Sequence, residues 1–420
     1  MSKIEITRRR ILMAGGAGAA LGLFGGAFAA FAQTSGPTNL NSWYFAQEPN
    51  NTVLQAILSA YATQGGGQVS TSGVAFNSYL DQAILAARSR RLSGVLHLDF
   101  NWLPAMSQLG ILRPMDDLME TLGYTQAGKQ LGTLDGKSLG LPVTAATINM
   151  VTNSDLLEAA GIAAVPSTTA EFEVALDKLK VLKADMIPYA LSTVPSESID
   201  YLVWMWQFGS EVMRGRECLI GDEPSVNAME WIKGLYDAGY MAPSVTRADA
   251  RAMFAQERTG FYEDAIVARS NAIAVSGNPD FGRKVVPVPR PGLKAGDRPR
   301  SSLWGNVMTV IDDDGAANGV ELATYLTANT DTSVALYNGI GLPPATEAGL
   351  KLPEIAEDEY TSIWSNQITA YADIKPFGRF PQVLRLEGLV GEAVQRILLG
   401  GIPAKEALEQ CASEVRNILA

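Results

Sequence analysis

Alternating and helically spaced apolar residues succeed one another in blocks along the first part of the chain. They predict, in order, a strand at 38–45, a helix at 50–64, a strand at 68–76, a helix at 79–91, a strand at 93–100 and a short helix at 101–110. Asn77 or Ser78 stands where it can cap the second of these helices. Such alternation of strand and helix predicts an α/β lobe with a largely parallel sheet.

The rest of the chain adds a crossing segment and a second block of strands. A β-rich stretch at 137–153 follows the turn at Asp135-Gly136 and is long enough to pass between lobes. Helices are predicted at 167–183, 196–209, 225–239 and 248–256, strands at 258–266, 283–292 and 301–311, and helix through most of 315–420. Because the strands fall into separated blocks, we expect two discontinuous lobes. They are an α/β lobe 1 of residues 36–143 plus 260–309 and a helix-rich lobe 2 of residues 144–259 plus 310–420.

The first 32 residues have the composition of a cleaved export signal. Three arginines precede 22 uncharged residues, Ile11 to Ala32, of which six are Gly and eight are Ala. This run is long enough to span a bilayer, but glycine weakens a helix and the run ends in the A-x-A pattern of a cleavage site. The hexapeptide TRRRIL at 7–12 resembles the twin-arginine signal. We predict export by the twin-arginine machinery, cleavage and a periplasmic location, with an uncleaved anchor as the alternative.

Charge and cysteine content argue against several classes of function. Removing residues 1–32, with four Lys and Arg against one Glu, takes the formal net charge from −11 to −14. Such a surface repels nucleic acid and anionic lipid. One histidine and two distant cysteines, Cys218 and Cys411, argue against a zinc or haem site, so we expect no cofactor. The spacing leaves open whether the cysteines pair. We expect a soluble monomer.

Short motifs in a fixed order resemble those of one protein family along the whole mature chain. They are LGILRPMDDL at 109–118, LDGKSLGLPV at 134–143, TNSDLLEAAGI at 152–162, VPSTTAEF at 165–172, AMEWIKGLYDAGYMAP at 228–243, MFAQERTGFYED at 253–264, YNGIGLPPATEAG at 337–349 and GGIPAKEALEQCASEVRNIL at 400–419. In this order the chain resembles the extracellular solute-binding proteins of bacterial carbohydrate ABC transporters, family 1, the maltose-binding-like group. The resemblance implies two α/β lobes that close over a ligand and then dock on a membrane permease. Departures at 97–99, Thr152 and Ala170, where the family often has Pro-Asp, Tyr and Trp, weaken the assignment of a ligand.

A sugar-binding cleft needs flat aromatic rings for C–H faces and charged or amide groups for hydroxyls. In such lobes these residues lie at the carboxyl ends of strands. For the first three strands this rule selects Trp43, Tyr44, Glu48, Asn77, Tyr79, Asp99, Asn101 and Trp102. The other predicted ligand residues are Trp204, Glu263, Asp264, Trp304, Asn306 and Arg379, with Trp364 and Phe377 as further members of the rim.

Several of these positions have a structural alternative. Trp204 and Trp206 are two apart on a helix, so at most one faces the cleft, and core packing is the alternative for each. Glu263-Asp264 can instead cap a helix. His97 and Asp99 share one face of a strand, but no G-x-S-x-G motif accompanies them, so we expect a buried histidine. The triple at 312–314 lacks the spacing of a calcium loop and is expected to start a helix.

These observations favour a periplasmic protein that captures a sugar or polyol by lobe closure, without catalysis, and delivers it to an ABC permease. One alternative is an exported glycoside hydrolase or lyase that uses paired carboxylates, with Glu263 or Asp264 as candidates. Another is an acidic sugar or a phosphodiester as the ligand, if Arg379 faces the cleft.

Overall fold

The computed structural model describes residues 37–365 and 369–420, so the predicted export signal lies outside the described residues. The strands are β1 Thr38–Asn41, β2 Val69–Ser72, β3 Val95–Asp99, β4 Thr133–Leu134, β5 Lys137–Ser138, β6 Leu141–Asn153, β7 Tyr189–Ala190, β8 Met213–Arg214, β9 Glu217–Cys218, β10 Phe261–Ala265, β11 Val285–Val288, β12 Ser301–Val310 and β13 Ala372–Asp373. The α-helices are α1 Asn50–Thr63, α2 Phe76–Arg88, α3 Leu103–Ser107, α4 Asp116–Thr121, α5 Gln126–Gly132, α6 Ser154–Ala159, α7 Thr169–Lys180, α8 Ile199–Gln207, α9 Glu223–Asp237, α10 Arg247–Ala255, α11 Ala268–Ser276, α12 Ala316–Ala328, α13 Thr330–Ile340, α14 Pro353–Ala356, α15 Glu359–Ile363, α16 Val383–Leu398 and α17 Ala404–Leu419. Within these described ranges, none of the helices is long and apolar enough to cross a membrane.

A mixed sheet of nine strands, counted over the described residues, runs through the molecule. Seven of them follow the order β2-β1-β3-β12-β6-β10-β7, while β11 pairs with β6 and β13 with β12. β1 pairs in parallel with β2 and β3, and β7 pairs in parallel with β10. The two long strands, β6 and β12, are antiparallel to each other, and they separate the two parallel groups. The sheet is therefore less parallel than the sequence pattern predicted, because two crossing strands occupy its centre.

Buried apolar side chains define two lobes on this sheet. Lobe 1 is the part built around the cluster that contains Leu40, Leu98 and Leu326. Lobe 2 is built around two further clusters, one with Phe261 and Val390 and one with Phe254, Tyr262 and Trp364. β6 contributes Leu141 and Val143 to lobe 1 and Met150 to lobe 2, so this strand passes from one core into the other, as the length of its β-rich stretch predicted.

Two segments pack in the opposite lobes from the predicted division. β10 and β11 pair with the carboxyl-terminal half of β6 and place Phe261 and Val288 in lobe 2. α12 and α13 follow β12 and place Leu322 and Leu336 in lobe 1. We propose from this packing that 316–340 belongs to lobe 1 and 261–288 to lobe 2.

Side-chain caps explain where some helices and strands begin or end, and they differ in part from the predicted bounds. Thr168 and Glu171 form a capping box at the start of α7, within the helix predicted at 167–183, with Glu171 N donating to Thr168 Oγ1 at 3.2 Å. β1 stops at Asn41, four residues before its predicted end, because Ser42 Oγ accepts from the backbone of Tyr44 and starts a 3-10 turn. α2 begins at Phe76, so neither residue 77 nor residue 78 is its cap.

The two cysteines lie in the same apolar cluster of lobe 2. Cys218 ends β9 and Cys411 lies in α17, and both are buried free thiols. Burial raises the pKa of Cys411 to about 12. Because the thiolate is the reactive form, these cysteines are chemically inert in this state.

Candidate ligand-binding site

A row of polar side chains crosses the three central strands where lobe 1 meets lobe 2. Asp99 on β3 pairs with Asn306 on β12, and Asn306 pairs in turn with Thr144 on β6. Directly paired residues of antiparallel strands project to the same face, so these three side chains lie next to one another. All three are buried, and Asn306 Nδ2 donates to Tyr44 Oη at 3.0 Å.

Asp99 is the charged end of this row. Its Oδ1 accepts hydrogen bonds from the backbone N of Asn101 at 3.0 Å and from Asn101 Nδ2 at 2.6 Å. The Trp304 side chain lies close enough to the carboxylate to lower its pKa slightly. Burial raises the pKa of Asp99 to about 6 in spite of these hydrogen bonds, because the charged form loses its hydration.

Trp304 provides an aromatic ring beside this carboxylate. It is two residues before Asn306 on β12 and therefore projects from the same face of the strand. The ring is half-buried and packs against apolar clusters of both lobes. Trp304 thus lies at the junction between the lobes.

A buried ion pair from the carboxyl-terminal part of the chain borders Asp99. Lys375 Nζ lies 2.5 Å from Glu387 Oε1, and the two residues are 5% and 9% exposed. The same ammonium is 6.0 Å from the centroid of the Phe100 ring. Lys375 lowers the pKa of Asp99 and Glu387 raises it, although both effects are smaller than that of burial. Two carboxylates and one ammonium therefore share this junction.

The segment that carries Lys375 passes from lobe 1 to lobe 2, and we call residues 372–380 the strap. Ile374 packs against the core of lobe 1, whereas Phe377 is buried in that of lobe 2. Arg379, also on the strap, is exposed and donates from Nη1 to the carbonyl oxygen of Thr133 in lobe 1 at 3.1 Å.

The aromatic residues predicted in lobe 1 pack against one another at the carboxyl ends of its strands. Trp43 stacks on His97 with centroids 4.1 Å apart, and Tyr79 stacks on Trp102 at 5.3 Å. All four are buried, and burial lowers the pKa of His97 to about 3, so the ring is neutral. Phe76 is the exposed ring of this cluster and lies 4.7 Å from Trp102. The four buried rings thus form one cluster of stacked and edge-on contacts.

Three predicted ligand residues lie inside lobe 2 instead. Trp204 is fully buried, with its indole N–H bonded to Tyr189 Oη at 2.9 Å. Glu263 pairs with buried Arg290 at 2.6 Å, and Asp264 accepts two hydrogen bonds from Arg251 at 2.7 and 2.8 Å.

Neither carboxylate is therefore a helix cap or free to contact a sugar. Adjacent strand residues also point to opposite faces, so Glu263 and Asp264 do not form the carboxylate pair of a glycosidase.

The remaining predicted positions have mainly local roles. Glu48 accepts from Thr52 N at 3.2 Å and from Thr52 Oγ1 at 2.7 Å at the start of α1, and Asn77 is exposed in the first turn of α2. Trp206 donates to the Glu211 carbonyl within lobe 2. Buried Trp364 donates to Thr147 Oγ1 at 2.8 Å. The acidic triple at 312–314 precedes α12, as predicted, with Asp313 accepting from the backbone of Gly315.

Sequence reasoning missed Thr144, Lys375 and Glu387. A usable signal exists for Glu387, because it falls on the apolar face of α16, four residues after Val383 and three before Val390. A charge on such a face needs a partner, and Lys375 provides it.

The sequence of this chain matches one protein family over most of its length. A model of the bacterial extracellular solute-binding proteins matches residues 56–361. The chain belongs to this family. Among curated relatives, a putative binding protein of Brucella abortus (strain 2308) is 25% identical over 332 residues, which are 76% of this chain and 77% of that protein.

Solved structures share the fold at lower identity. An ABC transporter solute-binding protein of Thermotoga lettingae, bound with alpha-D-tagatose, has a TM-score of 0.79 at 20% identity and covers 91% of this chain and 99% of its own. Maltose-bound T. maritima MalE3 gives 0.78 at 18%, with 91% and 99% covered. The GacH receptor of Streptomyces glaucescens gives 0.80 at 17%, with 91% and 98% covered. These matches confirm the predicted two-lobed α/β fold.

Proposed function

We propose that this protein captures a sugar, as a monosaccharide, oligosaccharide or polyol, between its two lobes and delivers it to an ABC transporter permease. The family supports solute binding, and solved proteins of the same fold are bound with tagatose, maltose or acarbose. These ligands are those of the solved proteins. At identities of 20% or less, the ligand of this chain has to be inferred from its own site residues.

The observation that carries the proposal is the composition of the lobe junction. Trp304 offers an aromatic ring, and Asp99, Asn101 and Asn306 offer polar groups beside it. An aromatic face next to a fixed carboxylate and amides is what a ring with C–H faces and hydroxyls requires. Tyr44 accepts a hydrogen bond from Asn306 and packs against Trp43, so it connects the polar row with the ring cluster that also contains Tyr79 and Trp102.

Lobe closure is the proposed mechanism. A ligand that contacts Asp99 in lobe 1 and the strap from lobe 2 gains both sets of contacts only when the lobes are together. Its higher affinity for that state shifts the population to the closed form. A free energy of binding of about 8 kcal/mol, which corresponds to micromolar affinity, is enough for capture.

Location and assembly complete the proposal. We propose that the export signal at 1–32 directs the chain through the twin-arginine machinery to the periplasm, where the protein works as a monomer. The family, whose members are extracellular, supports export. Protein isolated from the periplasm should have the intact mass of a chain cleaved near Ala32.

Thermal-shift screening against neutral mono- and oligosaccharides tests the function, because a ligand that binds only the folded state raises Tm. For the sugar that gives the largest shift, Asp99→Asn should weaken binding by about tenfold to a hundredfold, since a charge-assisted hydrogen bond contributes about 1.5–3 kcal/mol. The exposed Asp117→Asn in α4 is the matched control and should bind as wild type does. Equal affinity of Asp99→Asn and wild type would remove Asp99 from the site, and the absence of any shift would reject sugar binding.

A further inference from the structure

The buried charges at the lobe junction do not cancel. Asp99 and Glu387 are carboxylates, and Lys375 is the one ammonium that faces them in the described residues. Lys375 is engaged with Glu387 at 2.5 Å, whereas Asp99 is hydrogen-bonded by the neutral backbone and side-chain N–H groups of Asn101. The junction therefore has a net charge of −1 when all three groups are ionised.

Neutral side chains of the junction also have buried oxygen atoms that accept no hydrogen bond within the protein. Asn101 Oδ1 and Asn306 Oδ1 are buried without a hydrogen-bond partner in the protein, and so is Thr144 Oγ1. The orientation of Asn101 is fixed because its Nδ2 donates to Asp99, which leaves its oxygen as the free atom. Buried acceptors need donors, and sugar hydroxyl and ammonium groups donate whereas carboxylate and phosphate oxygens do not.

Positive charges close to the junction are either paired or exposed. The lobe 2 cations Arg247, Arg251 and Arg290 are each bound to a carboxylate. Arg379 is exposed and donates to a carbonyl, and Arg300 lies 3.5 Å from Asp373 with 41% of its side chain exposed. Salt screens exposed charges far more than buried ones, so Asp99, Lys375 and Glu387 dominate the local field.

We propose that this junction selects neutral or positively charged sugars and rejects sugars that carry a carboxylate or a phosphate, an inference that rests on the proposed function. An anionic sugar would bring a second uncompensated negative charge into a buried site, and its charged oxygens, unlike hydroxyl or ammonium groups, could not donate to the open amide oxygens. This proposal argues against the alternative considered from the sequence, in which Arg379 holds an acidic sugar or a phosphodiester.

The charge of a ligand can be varied at nearly constant size. Glucuronate and glucuronamide differ by one charge and are almost isosteric, and galacturonate and galacturonamide form a second pair. Titration calorimetry of wild-type protein with both pairs, together with glucose, galactose, glucosamine and glucose 6-phosphate, separates charge from shape. We expect each uronate to bind at least about tenfold more weakly than its amide, because like charges repel strongly in a partly desolvated site.

Glu387→Gln tests the source of the discrimination. The change removes one carboxylate, makes the junction neutral and frees Lys375 to contact an anion. The ratio of amide to uronate affinity should therefore fall by about tenfold or more. Glu392→Gln, on the exposed face of the same helix, is the matched control and should leave the ratio unchanged. Asp99→Asn, which also neutralises the junction but keeps the ion pair, provides a second variant if Glu387→Gln does not fold.

The outcomes separate the two proposals. Uronates or glucose 6-phosphate that bind wild-type protein as tightly as the neutral sugars would overturn the charge selection while sugar binding stands. An unchanged ratio in both charge variants would likewise overturn it. Failure of every neutral, cationic and anionic sugar, including oligosaccharides, to bind would reject the proposed function and this inference with it.

Discussion

Asp99 is buried, and in the proposed site it accepts hydrogen bonds from the ligand. Because of these two properties, the free energy of unfolding and the ligand affinity should depend on pH in opposite directions. Its pKa is raised to about 6 from an ordinary value of 3.8. Between these values the folded chain binds a proton that the unfolded chain has lost. The contribution of Asp99 to the free energy of unfolding therefore falls as pH rises from about 4 to 6. Lys375 and Glu387 border the carboxylate and partly offset each other.

Ligand affinity should change in the other direction. A carboxylate accepts from a sugar hydroxyl with both oxygens only when it is ionised, so affinity should rise by up to about tenfold between pH 5 and pH 7. Titration calorimetry at several pH values measures this effect. The difference in unfolding free energy between wild type and Asp99→Asn isolates the stability effect, because Asp200, whose pKa is also raised to about 6, is present in both proteins. Affinity that is flat across this range would contradict an ionised Asp99 contact.

At the scale of single elements, α16 shows how closely lobe 2 is packed. A Cβ added to Gly391 would lie 2.1 Å from the carbonyl oxygen of Pro195, a backbone atom that cannot move aside cheaply. Gly388 lies on the same helix, and an added Cβ there meets nothing within 4 Å. The two glycines are thus a matched pair with opposite surroundings.

Replacement by alanine should separate them. Gly391→Ala should destabilise the protein by about 1–3 kcal/mol or more, through overpacking against the 195–197 turn. Gly388→Ala should stabilise it by about 0.5–1 kcal/mol, because alanine favours a helix interior over glycine. Urea denaturation of both variants measures the difference. Loss of stability in both, or in neither, would show that the contact with Pro195 does not limit the position of α16.

Element existence was predictable where local signals agreed. The capping box at Thr168 marks the start of α7, and the long β-rich stretch at 137–153 corresponds to β6 with its lead-in. The end of β1 was mispredicted because its apolar residues continue into a 3-10 turn, where Trp43 and Tyr44 are buried. An apolar pattern indicates which residues are buried. Here the buried residues continue past the last residue of β1, so the pattern overestimates the length of the strand.

At the scale of the whole molecule, sequence order did not reveal which lobe each segment joins. Phe261 and Leu322 are both apolar and both sit in well-patterned elements, yet they pack in different lobes. Phe261 belongs to lobe 2 because β10 pairs with the carboxyl-terminal half of β6. Leu322 belongs to lobe 1 because α12 packs there after β12.

The site shows the same division. Strand ends and the resemblance select Asp99, Trp304 and Asn306 as candidates, whereas Lys375 is brought next to them only by the strap. Long-range pairing of this kind leaves no local trace in the sequence.

The strap gives a last prediction about the lobes as a whole. Arg379 lies on the lobe 2 side of Phe377, which anchors the strap in the core of lobe 2, so its hydrogen bond to Thr133 of lobe 1 exists only while the lobes are close. Arg379→Ala removes the hydrogen bond to Thr133 and should cost the closed state about 1 kcal/mol, which is roughly fivefold in the closed-to-open ratio. Arg385→Ala, an exposed change on α16, is the control.

Small-angle X-ray scattering can follow this equilibrium. Without ligand, Arg379→Ala should have a larger radius of gyration than wild type and Arg385→Ala, because more of its population is open. A saturating sugar should compact all three proteins to the same value, since binding outweighs one hydrogen bond. If the three unliganded proteins scatter alike, Arg379 does not hold the lobes together. If no binding sugar changes the scattering of any variant, closure by a hinge is excluded as the mechanism.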